Sequence, residues 1–456
     1  MQNEGAGALA RIEKALATRY PYENKMVPDV ERIRDLLDLL GSPQRTYPSI
    51  HLTGTNGKTT TARMADALLR ELGLRTGRFT SPHLRSFTER IALEGEPIDA
   101  ERFAAAFDEI TPYVEIIDTR HPQRMTFFEV LTAMAFAIFA DAPIDVGVIE
   151  VGLGGRWDAT NVIHAPVVVV TPIGLDHVGI LGDTVEQIAT EKAGIVHSGA
   201  TVVCATQPPG ATAVLQERAA SVQARVVREG VDFGVRSRSV AVGGQSLELT
   251  GLGGDYDEVF LPLYGAHQAG NAACALAAVE AFFAADQRGP LNPDAVRAAF
   301  AGVRSPGRLE VVRRSPTVLL DGAHNPAGAA ALADAVEESF GFERLIGVMA
   351  VLADKDVAGL LEQLDPVLTE LVVTTNSSPR SMPVEELAEV ARDVLGDARV
   401  TAASRLDDAI DRAVALADAG GPGGGVLVTG SIVTVGEART LLTGIGLDGP
   451  TPGGPA

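Results

Sequence analysis

The chain has 456 residues, of which 46% are hydrophobic and 21% are charged, and its net charge is −21. This length predicts two or three domains, and the acidity argues against nucleic acid or an anionic membrane surface as a partner. Cys204 and Cys274 lie in apolar runs, so we expect a reducing compartment and no disulfide framework. The first ten residues lack a signal-peptide pattern, and no apolar run reaches the ~20 residues of a membrane span, which predicts a cytoplasmic protein.

The first predicted elements are two amphipathic helices over residues 6–18 and 30–40, separated by Tyr20-Pro21-Tyr22. Gly41-Ser42-Pro43 ends the second helix, and a β-branched, apolar strand follows over residues 49–53. About 50 residues therefore precede the glycine-rich loop that comes next.

That loop lies in the sequence His51-Leu52-Thr53-Gly54-Thr55-Asn56-Gly57-Lys58-Thr59-Thr60-Thr61. A helix is predicted over residues 59–72, so backbone N–H groups and the positive end of a helix dipole converge on one point. Lys58 adds a cation, and Thr59 adds a hydroxyl for a magnesium ion. The P-loop pattern is incomplete, because Leu52 occupies the place of its first glycine, and a plain glycine turn is the alternative. The flanking strand and helix favour phosphate binding.

The next elements bring polar and aromatic residues towards the same edge of the predicted sheet. A short strand leads to Ser81, which is positioned for the crevice at the carboxyl ends of the strands, although a Ser-Pro turn by itself is common. Helices are predicted over residues 97–113 and 125–140. The second begins with Phe127-Phe128, a pair that is typical of a core but could also offer a flat face to a ring-shaped ligand.

Two predicted buried strands, over residues 145–151 and 167–171, lead to ionisable side chains. Glu150 at the end of an apolar strand is costly unless it is paired or bound to a metal, and in P-loop proteins an acid at this place typically holds magnesium. His177 follows the next strand in the same layer, which makes it a metal candidate by position. Charge alone favours a simpler interpretation of Lys192, as a cation that complements the dipole of its helix.

The remaining chain predicts a β-rich segment with hairpins over residues 220–263, a helix of small residues that continues to Ala285, and a hinge within residues 289–307. The expected fold is α/β: a P-loop domain with a mostly parallel sheet and a smaller Rossmann-like C-terminal domain, with an active site in the cleft between them. Spacing alone does not separate a kinase from an ATP-driven ligase. We divide the chain into an N-terminal domain (1–300), a C-terminal domain (301–446) and a disordered tail (447–456).

Seven motifs follow one another along the chain: Gly54-Thr55-Asn56-Gly57-Lys58, Thr80-Ser81-Pro82-His83-Leu84, Glu150-Val151-Gly152-Leu153-Gly154-Gly155-Arg156, Asp158-Ala159-Thr160-Asn161, Ile173-Gly174-Leu175-Asp176-His177, Glu191-Lys192-Ala193-Gly194 and Asp321-Gly322-Ala323-His324-Asn325-Pro326. As a set they closely resemble the folylpolyglutamate synthase/dihydrofolate synthase family, the folate branch of the Mur ligase superfamily. The resemblance implies that ATP phosphorylates a carboxylate of a folate substrate. The amine of L-glutamate then attacks the acyl phosphate, which gives an amide, ADP and phosphate.

The resemblance also implies a nucleotide and metal site. The ATP-binding residues would be Gly54, Thr55, Asn56, Gly57, Lys58, Thr59, Thr60, Asn271, Arg308 and Asp321. Ser81 and Glu150 resemble ligands of one Mg²⁺ ion, and His177 resembles a ligand of a second. Lys192 matches the lysine that is carbamylated in this family and then binds a metal. The resemblance therefore replaces the simpler interpretation, in which Lys192 is a cation that complements the helix dipole.

The substrate sites are implied in the same way. The pterin of the folate would be bound by Thr126, Phe128 and Asp158, and the incoming glutamate by His324 and Ser431. The implied catalytic set is Lys58, Lys192, His177 and Arg308. We expect small-molecule partners (dihydropteroate or reduced folate, glutamate and ATP), no nucleic acid, no membrane and a monomer. The pterin set resembles the bifunctional bacterial form, so both synthase activities are expected.

Two other functions are weighed against this one. A Mur-type ligase for another carboxylate substrate would carry a further domain of ~100 residues before the P-loop, where about 50 residues stand. A P-loop nucleotide switch would need a guanine-specific motif, but Asn24-Lys25 lies upstream of the loop and no acid follows it. One departure from the family is Thr59-Thr60, where Gly-Ser is usual. The hydroxyl of Thr59 is therefore a candidate to join Ser81 at the metal.

Overall fold

The computed structural model describes residues 2–19, 29–284, 289–419, 421 and 423–444. The predicted separator Tyr20-Pro21-Tyr22, the pair Asn24-Lys25, Ala285 and the tail over residues 447–456 lie outside these ranges. Within them, none of the helices combines the length and the apolar character that crossing a membrane requires.

Helices and strands alternate along most of the chain. The helices are α1 Gln2–Ala17, α2 Glu31–Leu39, α3 Lys58–Glu71, α4 Ala100–Arg120, α5 Phe127–Asp141, α6 Val178–Leu181, α7 Val185–Lys192, α8 Pro209–Ser221, α9 Ala266–Ala284, α10 Pro293–Ala301, α11 Pro326–Ser339, α12 Val357–Leu364, α13 Val384–Leu395, α14 Leu406–Ala419 and α15 Ile432–Thr443. The strands are β1 Ser49–Thr53, β2 Thr76–Phe79, β3 Ile91–Leu93, β4 Glu96–Pro97, β5 Val146–Glu150, β6 Val167–Val170, β7 Thr201–Cys204, β8 Arg225–Arg228, β9 Gly234–Ala241, β10 Gly244–Thr250, β11 Asp255–Leu261, β12 Glu310–Arg314, β13 Thr317–Leu320, β14 Arg344–Met349, β15 Glu370–Val373, β16 Val400–Ala402 and β17 Gly424–Thr429.

The larger sheet has eight strands in the order β4-β3-β2-β5-β1-β6-β7-β8. The six strands from β2 to β8 in this order are parallel, and β3 and β4 add an antiparallel edge. β1, β5 and β6 are buried along their whole length, which explains their nearly continuous apolar sequences. Because these strands are parallel, the segments that follow them meet at one edge of the sheet.

Helices cover both faces of this sheet. On one face α3, α9 and α10 pack into a core with β1, β5 and β6, which also takes in the antiparallel sheet β11-β10-β9. On the other face α1, α2, α4 and α5 form a second core, and α7 and α8 cover β6 and β7. Helix α3 is packed between the sheet and α9. This packing holds the first turn of α3 at the edge where the parallel strands end.

The second sheet has six strands in the order β12-β13-β17-β14-β15-β16, of which β12 is antiparallel and the others parallel. Helices α11, α12 and α13 pack on one face, and α14 and α15 pack on the other. The predicted α/β architecture, with a large mostly parallel sheet and a smaller one after it, is therefore confirmed.

Several predicted boundaries were wrong. The helix expected over residues 97–113 starts at Ala100, where Asp99 accepts a hydrogen bond from Arg102 N, and it continues through Pro112 to Arg120. The expected hinge contains α10, which buries Val296 in the core of the first sheet. In the β-rich segment, β8 joins the larger sheet rather than a hairpin. Helices α8 and α15 were not predicted.

Candidate active site

The loop between β1 and α3 has a conformation that depends on its two glycines. Gly54 has a φ of +141°, and a Cβ there would lie 1.9 Å from Thr171 Oγ1. Gly57 has a φ of +90°, and its missing Cβ would lie 2.4 Å from Asn271 Oδ1. Any larger residue would collide with the segment after β6 or with α9. The backbone can therefore turn sharply into α3 and direct the free N–H groups of its first turn outward.

Two lysine side chains meet at one carbonyl oxygen of this loop. Lys58 Nζ lies 3.0 Å from Gly54 O and 3.1 Å from Thr55 O, and Lys192 Nζ lies 2.7 Å from Gly54 O. Burial, reinforced by the nearby charge of Lys58, lowers the pKa of Lys192 to about 7. Burial also lowers the pKa of Lys58. Near neutral pH a substantial fraction of Lys192 therefore carries a neutral amine.

The carboxylate of Glu150 lies at the end of β5 beside the start of α3. It is 1% exposed, and each of its oxygens accepts a hydrogen bond of 2.9 Å from the hydroxyl of Thr59. The backbone N–H of Ser81 also donates to Glu150 Oε2, at 3.2 Å. Burial raises the pKa of Glu150, whereas the charge of Lys58 lowers it. A buried carboxylate beside two hydroxyl-bearing residues is a set of hard oxygen donors that fits Mg²⁺.

Among the residues that the structure describes, no group of three or more His, Cys, Asp or Glu side chains could hold a metal ion by itself. Mg²⁺ beside a nucleotide usually takes one or two protein carboxylates and completes its shell with phosphate oxygens and water. The Glu150 site matches that arrangement.

Thr60 and Asn271 connect α3 to its neighbours. Thr60 Oγ1 lies 3.0 Å from Ser305 Oγ, at the end of the linker between the two sheets. Asn271 is 6% exposed, and its Nδ2 donates to Gln268 Oε1 within α9. Asn271 also lies beside the P-loop, since a Cβ at Gly57 would come within 2.4 Å of its Oδ1.

Arg308 and Asp321 lie where the chain enters the second sheet. Asp321 is 8% exposed and accepts hydrogen bonds of 2.8 Å from the N–H groups of Leu309 and Ala323. Burial raises its pKa, and the charge of Arg308 opposes that shift. Burial is the main cause of the lowered pKa of Lys58, and the charge of Arg308 adds to it.

Asp176 is bonded across the cleft to the second sheet. Lys355 Nζ donates to its Oδ1 at 2.6 Å, and His324 Nε2 lies 3.5 Å from its Oδ2. Burial alone would raise the pKa of Asp176, but the hydrogen bond from His324 and the charges of His177 and Lys355 hold it well below its usual range. The side chains of Asp176 and Lys355 are 9% and 8% exposed, so this ion pair is largely desolvated.

His177 follows Asp176 in a left-handed backbone conformation, with a φ of 51°. Its Nε2 lies 3.9 Å from Asp176 Oδ1. Burial lowers the pKa of His177 to about 4, which favours the neutral imidazole that metals bind.

A pair of side-chain amides also spans the cleft. Asn56 Nδ2 donates to Asn325 Oδ1 at 3.2 Å, and Asn325 Nδ2 donates to Asn56 Oδ1 at 3.1 Å and to Asp176 Oδ2 at 3.2 Å. Asn325 Oδ1 also accepts the N–H of Gly328 at 2.8 Å and so caps α11. The P-loop is thereby joined directly to the first helix of the second sheet.

The three residues predicted for a pterin site lie close to one another, and two of them have structural partners. Thr126 caps α5 by accepting a hydrogen bond from Glu129 N. The oxygens of Asp158 accept hydrogen bonds from Thr160 and from Leu153 N. The ring of Phe128 lies against Gly152, where a Cβ would come within 2.4 Å of it. Phe128 and Asp158 therefore flank the same glycine-rich turn.

Ser431 lies in the second domain, at the end of β17. It is 3% exposed, caps α15 by accepting a hydrogen bond from Thr434 N at 3.1 Å, and accepts another from Asn376 Nδ2 at 3.2 Å. Its strand is adjacent to β13, which leads to His324. The two predicted glutamate residues thus lie at neighbouring strand ends on the same edge.

Sequence reasoning assigned no role to Asp176, Asn325 and Lys355, although all three are prominent in the cleft. Each follows a strand and lies in a polar cluster, which was the available signal. Their partners could not be identified, because 149 and 179 residues separate Asn325 and Lys355 from Asp176.

Comparison with known proteins places the chain in one family. Residues 52–279 match the Mur ligase middle domain, and residues 307–432 match the Mur ligase glutamate ligase domain. A dihydrofolate synthase/folylpolyglutamate synthase of Mycobacterium tuberculosis is 51% identical, with 95% of this chain and 94% of the relative covered. The Bacillus subtilis protein of the same name is 32% identical, with 91% and 95% covered.

Solved structures agree. Mycobacterium tuberculosis folylpolyglutamate synthase complexed with ADP and AMPPCP superimposes with a TM-score of 0.92 and 52% identity, covering 96% of this chain and 99% of that one. Escherichia coli FolC in complex with DHPP and ADP gives a TM-score of 0.83 and 31% identity, covering 96% and 98%. The chain therefore belongs to the dihydrofolate synthase/folylpolyglutamate synthase family of the Mur ligases, and it is an ATP-dependent ligase.

Proposed function

We propose that this protein joins L-glutamate to dihydropteroate and to reduced folates through an acyl phosphate, with release of ADP and phosphate. The observation that carries the proposal is the convergence of Lys58, Lys192 and Glu150 on the P-loop and the start of α3. The relatives' names and the DHPP bound to the Escherichia coli enzyme support the choice of substrates.

In the proposed mechanism the P-loop N–H groups and Lys58 bind the β- and γ-phosphates, and Arg308 neutralises charge that develops during phosphoryl transfer. Glu150, with the hydroxyl of Ser81 or Thr59, would hold Mg²⁺, which supplies charge neutralisation on the transferred phosphoryl group. Asn271 and Asp321 complete the nucleotide site. Contacts across the cleft keep water away from the acyl phosphate until glutamate attacks it.

We further propose that Lys192 is carbamylated and that a second Mg²⁺ is held by His177 and this carbamate. The pKa of about 7 supports this, because the neutral amine is the form that attacks CO₂. The nitrogen forms a bond to carbon, a proton leaves, and a cation becomes an anion. The second positive charge beside Gly54 O would then be removed, which relieves the crowding of the two lysines.

The pterin site and the glutamate site are proposed to lie on opposite sides of the cleft between the two sheets. The pterin would stack on Phe128 near Thr126 and Asp158, and glutamate would bind His324 and Ser431. The Phe128→Ala substitution is expected to abolish dihydropteroate activity and to keep folate elongation. Equal loss of both activities would contradict a separate pterin site.

The remaining assignments are proposals of the same kind. We propose domain limits of 1–300 and 301–446, which enclose the two matched Mur ligase regions. We also propose a monomer in the cytoplasm. Two buried cysteines without a disulfide, Cys204 and Cys274, support a reducing compartment.

The deciding experiment is ADP release by the purified protein with ATP, Mg²⁺ and glutamate, run with dihydropteroate, with a reduced folate and with neither. ADP release that requires a pterin acceptor would support the proposal, and the two acceptors would show which activity dominates. Release that no pterin acceptor changes would favour a Mur-type ligase for another carboxylate substrate. Membership of the ligase family has already removed the support for a nucleotide switch.

A further inference from the structure

A polar cavity of about 150 Å³ lies beside α2, and none of the predicted site residues lines it. Arg34 of α2, Arg45 of the turn that follows it, and His164 and His197 line it. His164 and His197 precede β6 and β7, whose first residues are Val167 and Thr201. The cavity therefore lies at the amino ends of these strands, whereas the candidate active site lies at the carboxyl ends.

The lining is basic on a chain whose net charge is −21. In the part of the chain that the structure describes, the side chain of Arg45 has neither a hydrogen bond nor an ion pair, and Arg34 uses Nη1 to contact Glu31 at 2.6 Å. The rings of His164 and His197 are 4.6 Å apart. An acid, Asp38, also lines the cavity, and the hydroxyl of Ser42 donates to it at 3.1 Å.

Gln44 contributes a side-chain amide to the lining. It lines the cavity and is 6% exposed, yet its Oε1 is buried without a hydrogen-bond partner among the described residues. Buried amides are hydrogen-bonded as a rule. Because rotation of the amide exchanges its two ends, Gln44 can present an NH₂ group to an anion.

We propose that this cavity is a binding site for a small oxyanion with phosphate or dicarboxylate chemistry. The guanidinium groups of Arg34 and Arg45 supply donors in the fork geometry that such anions match, and His164 and Gln44 supply further donors. The volume far exceeds the ~15 Å³ that one water molecule needs, so a group of this size can enter. The site stands on these residues alone and does not rest on the proposed function.

The test follows the imidazole NMR signals of His164 and His197, which are assigned with the variants His164→Asn and His197→Asn. The protein is titrated separately with inorganic phosphate and with succinate. Saturable movement of these signals by either anion is the expected result, and the two titrations distinguish a phosphate from a carboxylate ligand. The Arg45→Gln substitution should weaken this binding about tenfold. Arg45 is exposed, so its replacement leaves the fold intact.

Arg392→Gln is the matched control, because it removes the same charge from an exposed residue of α13 in the other half of the chain. It should leave the titration unchanged. Phosphate could also bind at the P-loop. Binding there is distinguished from binding in the cavity because it should be unchanged in Arg45→Gln and lost in Lys58→Met. Absence of saturable movement with both anions would overturn the proposal and identify a water-filled cavity, and equal binding by wild type and Arg45→Gln would overturn it as well.

Discussion

The two charged clusters in the cleft differ in how many domains are needed to form them. Around Gly54 O, Lys58 and Lys192 are both held by the first sheet and its loops. Around Asp176, the partners His324 and Lys355 come from the second sheet. The two lysines of the proposed phosphate-binding end therefore come from one domain, whereas the cluster nearest the proposed glutamate residues forms only when the two domains meet.

The clusters also differ in charge balance. Two cations beside one carbonyl oxygen repel each other, and burial lowers the pKa of both lysines. Asp176 has opposite charges beside it, and its pKa is held low despite burial. The first cluster is thus ready to accept negative charge from a nucleotide or a carbamate, and the second is already neutralised by the domain contact.

The largest effect is expected from Lys58→Met, which removes a cation from the cluster that one domain forms. The rate of ADP release should fall by ~10²–10³-fold, because a preorganised positive charge on the phosphates is lost. Thermal unfolding should be little changed, since a buried ammonium group contributes little net stability. Lys14→Met is the control, because Lys14 is exposed on α1. A rate equal to that of the control would remove Lys58 from the mechanism.

A second effect on the same cluster should appear as pH dependence. The pKa of Lys192 is lowered to about 7, so the ammonium form dominates below that value and the neutral amine above it. If carbamylation is required, activity at constant dissolved CO₂ should rise at least tenfold from pH 6 to pH 8, because the neutral fraction of the amine rises about tenfold. Activity should also fall in CO₂-free buffer at pH 8 and return when bicarbonate is added. Activity that is independent of bicarbonate at every pH would refute the carbamate.

Strong local patterns explain which elements were predictable from sequence. The buried strand β1 was predicted with the bounds that the structure has, because its apolar, β-branched run is unambiguous. Pro293, which follows Asn292, was interpreted as a signal of the hinge. The two residues are instead the first residue and the cap of α10, a combination that is equally typical of a helix start.

The site was predictable only where a motif contains its own partners. Gly54, Gly57 and Lys58 are neighbours in the chain, so their convergence follows from a strand, a turn and a helix. The pKa of Lys192 depends on burial by distant segments, and charge logic alone suggested an ordinary dipole cation. The hydroxyl of Thr126 was predicted near a pterin, but the structure also uses it as a helix cap, a role that the Thr126-x-x-Glu129 spacing signals.

The smallest effect is expected from Lys355→Met, which acts on the cluster that both domains form. Loss of this partner leaves Asp176 with His324 and Asn325, so the domains should still meet but less tightly. We expect the KM for glutamate to rise about fivefold and kcat to change less, because the P-loop cluster is untouched. Steady-state kinetics with varied glutamate at saturating ATP would measure this.

Lys14→Met again provides the control, since it removes the same charge far from the cleft. The comparison between the clusters predicts a clear division: Lys58→Met should lower kcat, whereas Lys355→Met should mainly raise the KM for glutamate. If Lys355→Met lowered kcat as strongly as Lys58→Met while the glutamate KM stayed constant, the contact would belong to phosphoryl transfer. The domain contact at Asp176 would then be part of the chemical step, because the ion pair would be needed after glutamate has bound.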